Sequence, residues 1–191
     1  YAVTDTSTIQ ALKLGQTLED GIVITSDDNS TTHDLNVTIT GTNDAPVAIV
    51  DTQSTDENTG ITVDVIAYDS DVDTHDSHTV DSVNITSGNG TVSIVNNQVE
   101  WLPGSDYDYL AAGETANVII AYTMSDNNNA SSESTLTLTV NGTNDGPVVN
   151  TGILNQTASE SIAFNFQLQE SSFSDPDIGD NLSYTATVIE A

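Results

Sequence analysis

The stretch Ile39-Thr40-Gly41-Thr42-Asn43-Asp44-Ala45-Pro46-Val47-Ala48 returns as Val140-Asn141-Gly142-Thr143-Asn144-Asp145-Gly146-Pro147-Val148-Val149. From Gly41 to Gly142 the offset is 101 residues. Each copy completes a run that alternates polar and apolar, Asp34-Leu35-Asn36-Val37-Thr38-Ile39-Thr40 in one case and Ser134-Thr135-Leu136-Thr137-Leu138-Thr139-Val140 in the other. Such alternation marks a half-buried strand. Asn and Asp then favour a turn, and the proline fixes the exit direction. The repeated decapeptide therefore reads as a joint between modules, dividing the chain into 1–45, 46–145 and 146–191.

Period-2 patterning continues outward from the joints. Further strands are expected over Gly21–Thr25, Ile61–Ala67, His78–Ile85, Gly90–Val95, Gln98–Leu102, Ala116–Met124 and Ile162–Gln167. Between them stand the turn clusters Asp27-Asp28-Asn29, Ser87-Gly88-Asn89-Gly90, Asn96-Asn97 and Asp126-Asn127-Asn128-Asn129. No segment has a helical period, and Tyr107–Gly113 has room for one helical turn. Short strands at this spacing, about a hundred residues to the repeat, predict an all-β chain of tandem immunoglobulin-like β-sandwiches. Trp101, the single tryptophan, falls in a strand and is expected to anchor the core of the middle sandwich. Residues 1–45 match the second half of that module: Leu12, Gly15, Thr17 and Asp27 parallel Leu110, Gly113, Thr115 and Asp126. Residues 146–191 match a first half. With Tyr1 at its start and no signal peptide, the chain reads as a fragment or processed product.

Acids dominate the charge. Asp and Glu number 29 against a single basic residue, Lys13, for a formal net charge of -28. Nothing here could neutralise phosphates, which excludes nucleic acid, and anionic membrane surfaces are excluded on the same ground. No apolar run is long enough to span a membrane. With no cysteine, no disulfide stiffens the chain, as suits an exported bacterial protein. Part of the acid excess is solvated surface. Part is available as oxygen ligands for a hard cation, calcium above all.

Thr-Gly-Thr-Asn-Asp-Ala-Pro after an alternating strand resembles the joints of bacterial cadherin-like and VCBS-type repeats in large RTX-type surface adhesins. Tyr122-Thr123-Met124-Ser125-Asp126, Asp69-Ser70-Asp71-Val72-Asp73 and Asp56-Glu57-Asn58 fit the same pattern, and Phe173-Ser174-Asp175-Pro176-Asp177 opens a related module. This resemblance implies cadherin-like sandwiches and calcium at each joint, with ligands from three directions. The preceding module gives an Asp from its last hairpin, the linker an Asn and an Asp, and the next module a Glu and an Asp-x-Asp loop. For the first joint the set is Asp27, Asn43, Asp44, Glu57, Asp69, Asp71 and Asp73. For the second it is Asp126, Asn144, Asp145, Glu160, Asp175 and Asp177, with Asp180 a further candidate.

Other chemistries fare worse. Asp69, Asp71 and Asp73 have the spacing of an EF-hand start, but Thr74 and Val80 stand where its glycine and glutamate belong. His75 and His78 would need a helix to share a face, so they read as solvated loop histidines. No serine sits in a nucleophile elbow, and no enzyme is expected. The expected function is a calcium-stiffened extender of a bacterial surface adhesin, outside the cell, serving attachment or biofilm formation. Its partners would be neighbouring modules or copies of itself. Two alternatives share parts of this reading. One is a filament or S-layer subunit whose half-modules complete each other between chains. The other is a sugar- or peptide-binding tip, which should carry an aromatic-rich insertion, whereas only Tyr107 and Tyr109 cluster.

Overall fold

The computed structural model describes residues 6–187. Its centre is a two-sheet sandwich. One sheet has the order β3-β9-β8-β5 and the other β4-β7-β6. The strands are β3 (Asp51–Asp56), β4 (Ile61–Val63), β5 (Thr79–Ser87), β6 (Thr91–Val95), β7 (Gln98–Leu102), β8 (Thr115–Ser125) and β9 (Ser131–Asn141). Before them, β1 (Thr17–Thr25) and β2 (Thr32–Thr40) form a hairpin, preceded by one helical turn, α1 (Ser7–Gln10). After them come β10 (Val148–Val149), a 3-10 turn (Glu170–Ser172) and β11 (Phe173–Ser174), with β10 paired to β11.

Alternation along the strands builds the core. Val118, Ile120, Tyr122 and Met124 of β8 and Leu136, Leu138 and Val140 of β9 all point inward and are buried. Opposite them lie Val63, Val99 and Trp101, with Tyr107 and Leu110 closing one end. Trp101 is 0 % exposed, as its strand position predicted. The β6–β7 hairpin turns on Asn96 and Asn97, both in the left-handed region (φ 51 and 64), the conformation that a two-residue hairpin loop requires. Asn97 also accepts from Val80 N at 2.8 Å and donates to His78 O at 3.0 Å, tying this hairpin to the start of β5.

Three expectations need correction. Ile61–Ala67 is a strand only to Val63, after which the chain turns. Ile162–Gln167 alternates in sequence but forms no strand. Its residues Ile162, Phe164 and Phe166 are exposed, and among the described residues no strand pairs with this segment. Tyr107–Gly113 holds turns rather than a helical turn. Three strands were not foreseen: the two-residue pair β10 and β11, and β3, which reads Asp-Thr-Gln-Ser-Thr-Asp and pairs parallel to β9, from Asp51 opposite Leu136 to Asp56 opposite Asn141. β3 is an edge strand, held by the ladder rather than by an apolar face.

Tyr122 pins the entry of the chain to this core. Its hydroxyl lies 3.0 Å from Ile49 O, 3.1 Å from Asp51 Oδ2 and 3.2 Å from Val65 O, donating its single hydrogen among them. Tyr122→Phe is expected to lower the unfolding free energy by about 1 kcal/mol, the net worth of one such bond, as read by urea unfolding followed through Trp101 fluorescence.

Candidate metal centres at the two joints

The entry linker meets the loop between β4 and β5 and the turn between β8 and β9. Asn43 Nδ2 donates to Asp44 O (2.9 Å) and to Asp126 Oδ2 (2.7 Å). Asp44 N donates to Asp73 Oδ2 (2.9 Å), and Asp73 N donates in turn to Asp71 Oδ1 (2.9 Å). Carboxylate oxygens of Asp71, Asp76 and Asp126 lie within 4.8 Å of one another. The loop reverses at His75, whose φ is 67.

At the exit the same contacts recur. Asn144 Nδ2 donates to Asp145 O (2.6 Å), Asp145 N to Asp177 Oδ2 (2.9 Å), and Asp177 N to Asp175 Oδ1 (3.2 Å). Asp175, Asp177 and Asp180 form the second group of three within 4.8 Å. The reversal here is Gly179, with φ 100. Into this joint comes Glu57 from the end of β3. Its Oε1 accepts from Thr143 N (2.7 Å) and Thr143 Oγ1 (2.8 Å), and its side chain is fully buried.

The structure thus regroups the sequence-derived set. Asn43, Asp44, Asp71 and Asp73 meet at the first joint as expected, and Asn144, Asp145, Asp175 and Asp177 at the second. Asp126 was assigned to the second joint and sits at the first. Glu57 was assigned to the first and sits at the second. The reason is strand length. Between the Asp126 turn and the exit linker runs all of β9, eleven residues and roughly 35 Å of extended chain. Because β3 runs parallel to β9, Glu57 is delivered to the exit pole and not to the entry.

Three more assignments move for related reasons. Asp27 is exposed in the β1–β2 turn, a whole strand away from the first joint. Glu160 lies in an exposed turn and joins none of the second joint's hydrogen bonds. Asp69 turns toward the sandwich, where its Oδ1 accepts from Ile49 N (2.8 Å). Phe173 holds the equivalent place at the second joint, so Asp69 is no part of the repeated set. His78 is not solvated either: its side chain is 12 % exposed and its Nε2 lies 3.5 Å from Asp71 Oδ2.

Two participants were missed. Asp76 occupies at the first joint the place of Asp180 at the second, and aligning Asp71-x-Asp73-x-x-Asp76 with Asp175-x-Asp177-x-x-Asp180 would have found it. Thr143 lies inside the joint motif itself, but only the β3–β9 pairing shows that it meets Glu57.

Electrostatics separate the residues by role. Desolvation pushes the Asp126 carboxyl up, but hydrogen bonds from Asn43 and from the backbone of Ala130, Asn128 and Asn129 outweigh it and hold the pKa below the usual range. The Asp145 carboxyl is raised, first by desolvation and then by the crowd of Glu57, Asp177, Asp108 and Asp175. The donor chemistry suits a hard cation. Asn43 Oδ1 and Asp73 Oδ1 at the first joint, and Glu57 Oε2 and Asp177 Oδ1 at the second, are buried oxygens without a hydrogen-bond partner. Such groups are rare in native proteins and call for a ligand. All are oxygens, the ligand type calcium takes.

The sequence matches the description "Bacterial cadherin-like domain" over residues 43–142. No curated protein matches. Among solved structures, protocadherin gamma C5 EC1-3 is 13% identical, with 85% of this chain and 55% of that chain covered and a TM-score of 0.43. Protocadherin gamma B2 extracellular cadherin domains 1-5 is also 13% identical, with 92% and 35% covered and a TM-score of 0.39. A nucleoside hydrolase-related hypothetical protein from Saccharophagus degradans, associated with carbohydrate metabolism, is 20% identical, with 52% and 26% covered and a TM-score of 0.34. The chain spans about half the length of these structures or less. Among the described residues no helix is long and apolar enough to cross a membrane. The match spans the full sandwich, β3 to β9, and more than half of the chain, and the chain belongs to the bacterial cadherin-like domain family.

Proposed function

We propose that the chain is an extender segment of a bacterial surface adhesin of the RTX type, stiffened by calcium at its two joints. One observation carries this reading: both joints repeat the same hydrogen bonds and both leave buried oxygens unpartnered. Asn43, Asp71, Asp73, Asp76 and Asp126 would hold the cation at the first joint. Glu57, Asn144, Asp145, Asp175, Asp177 and Asp180 would hold it at the second. Calcium supplies positive charge where carboxylates crowd; the residues supply orientation. Asp44 N and Asp145 N fix the loop aspartates against the linker, and Glu57 ties the linker to the module it leaves. Without the cation, repulsion among these carboxylates loosens the joints and the modules swivel.

Extracellular calcium modules work with Kd about 10⁻⁴–10⁻³ M, so sites of this class fill outside the cell. Small-angle scattering of the same sample in calcium and in chelator tests the reading. A longer maximum dimension and a narrower spread of shapes are expected with calcium, and an unchanged dimension overturns it. A second reading has its own observation, the apolar side chains left exposed on both flanking segments, including Val23, Ile24, Phe164 and Phe166. In that reading the half-modules of successive copies complete one another into a filament. Sedimentation over a range of concentrations separates the two, since the extender stays monomeric.

A further inference from the structure

The chain has one lysine and no arginine, and the fold delivers that lysine to the first joint. Lys13 lies in the unit before the linker, and its Nζ forms an ion pair with Asp76 Oδ1. In a protein with 29 acids a lysine almost anywhere would find a carboxylate. This pair differs from a surface pair in three ways. Asp76 has a fully buried side chain, while that of Lys13 is 32 % exposed. Asp76 is one of the three carboxylates that converge there. The pair also bridges two units, beside a second bridge in which Thr74 Oγ1 donates to Ala11 O (3.4 Å).

The second joint lacks this cation. Correspondence is set by the joint glycines: a Cβ on Gly41 would meet the carbonyls of Leu12 and Lys13, and one on Gly142 those of Leu110 and Ala111. Ala111 is therefore the counterpart of Lys13. Asp180, the counterpart of Asp76, is exposed.

Building on the calcium reading above, we propose that Lys13 sets the affinity of the first joint. Its ammonium occupies Asp76 as a tethered counter-ion, and calcium must displace it to take that carboxylate. The two joints then fill in order, the second before the first. Until it fills, the first joint keeps a clasp of one positive charge that the second does not have. A single charge at contact distance in a half-buried site, discounted for the solvent that reaches Lys13, shifts affinity by about tenfold.

Calorimetric calcium titration of the full chain and of Lys13→Met tests this, since methionine keeps most of the side-chain length and removes the charge. Two classes of site are expected in the unaltered chain. The weaker class should tighten about tenfold in Lys13→Met, with the stronger class unchanged. A second readout needs no variant. Acylation of the only lysine by an amine-reactive ester, located by mass spectrometry, should be slow in chelator and accelerate severalfold as the weaker class fills. If calcium binds but both classes are unchanged in Lys13→Met, or the acylation rate ignores calcium, the role of Lys13 is overturned and the calcium reading stands. If neither protein takes up calcium, the calcium reading falls and this inference falls with it.

Discussion

Trp101→Ala is expected to lower the unfolding free energy by about 3–5 kcal/mol, the largest loss from any single substitution considered. The ring is fully buried among Val63, Val99, Leu138 and other core residues. It also stands 5.8 Å from the Tyr107 ring, centroid to centroid, and its Nε1 donates to Asn89 O (3.0 Å). Truncation therefore removes apolar burial, opens a cavity between the sheets and leaves Asn89 O without that donor. The neighbouring turn cannot collapse to fill the space. It is held by Asn89 N donating to the Tyr107 hydroxyl (2.8 Å) and Gly90 N donating to Asp106 Oδ2 (2.8 Å). Gly90 itself has a φ of 103 and no room for a Cβ, which would lie 2.6 Å from Trp101 Nε1. Chemical denaturation followed by far-ultraviolet circular dichroism measures the loss. A loss below about 1 kcal/mol would mean that this core is not the one holding the sandwich together.

Gly142→Ala is expected to cost about 3 kcal/mol and to weaken cation binding at the second joint with it. A Cβ there would sit 2.4 Å from both Ala111 O and Leu110 O, and these are backbone atoms that no rotamer change can move aside. The linker must shift, at the upper end of the usual overpacking penalty. The shift also pulls Thr143 from Glu57, whose buried carboxylate then loses the two hydrogen bonds it has. Gly146→Ala is the control. A Cβ at 146 meets nothing within 4 Å, and the first joint carries Ala45 at the same place. Thermal unfolding of the two variants in calcium and in chelator should show a large calcium-dependent loss for Gly142→Ala and almost none for Gly146→Ala. Equal behaviour would remove the role given to the close approach.

Legibility in the sequence followed the apolar pattern. β8 and β9 could be read because Val118 to Met124 and Leu136 to Val140 alternate against a core that exists. Ile162 to Gln167 alternates as clearly and forms no strand, since pairing is a property of a neighbour and not of the segment. β3 was invisible for the opposite reason: it has a neighbour and no apolar residue to announce it. The site divides the same way. Asn43, Asp44, Asp71 and Asp73 could be placed together because they lie on one connected path of linker and loop. Asp126 and Glu57 could not be assigned to a pole from the sequence, because their positions depend on which way β9 and β3 run. Asp76 carries no signal within its own module, and only the alignment of the two loops at Asp71 and Asp175 marks it.

The parallel pairing of β3 with β9 has a mechanical meaning. These are the first and last strands of the sandwich, and six residues of each stand in register. A pull applied through the two linkers would enter at Pro46 and leave at Gly142, drawing the two strands in opposite directions along their length. The ladder is then loaded in shear, so all its bonds must fail together and none can unzip first. Resistance to force of this kind is governed by the unfolding rate rather than by equilibrium stability. The sandwich can therefore resist a lengthwise pull better than its equilibrium stability alone would suggest.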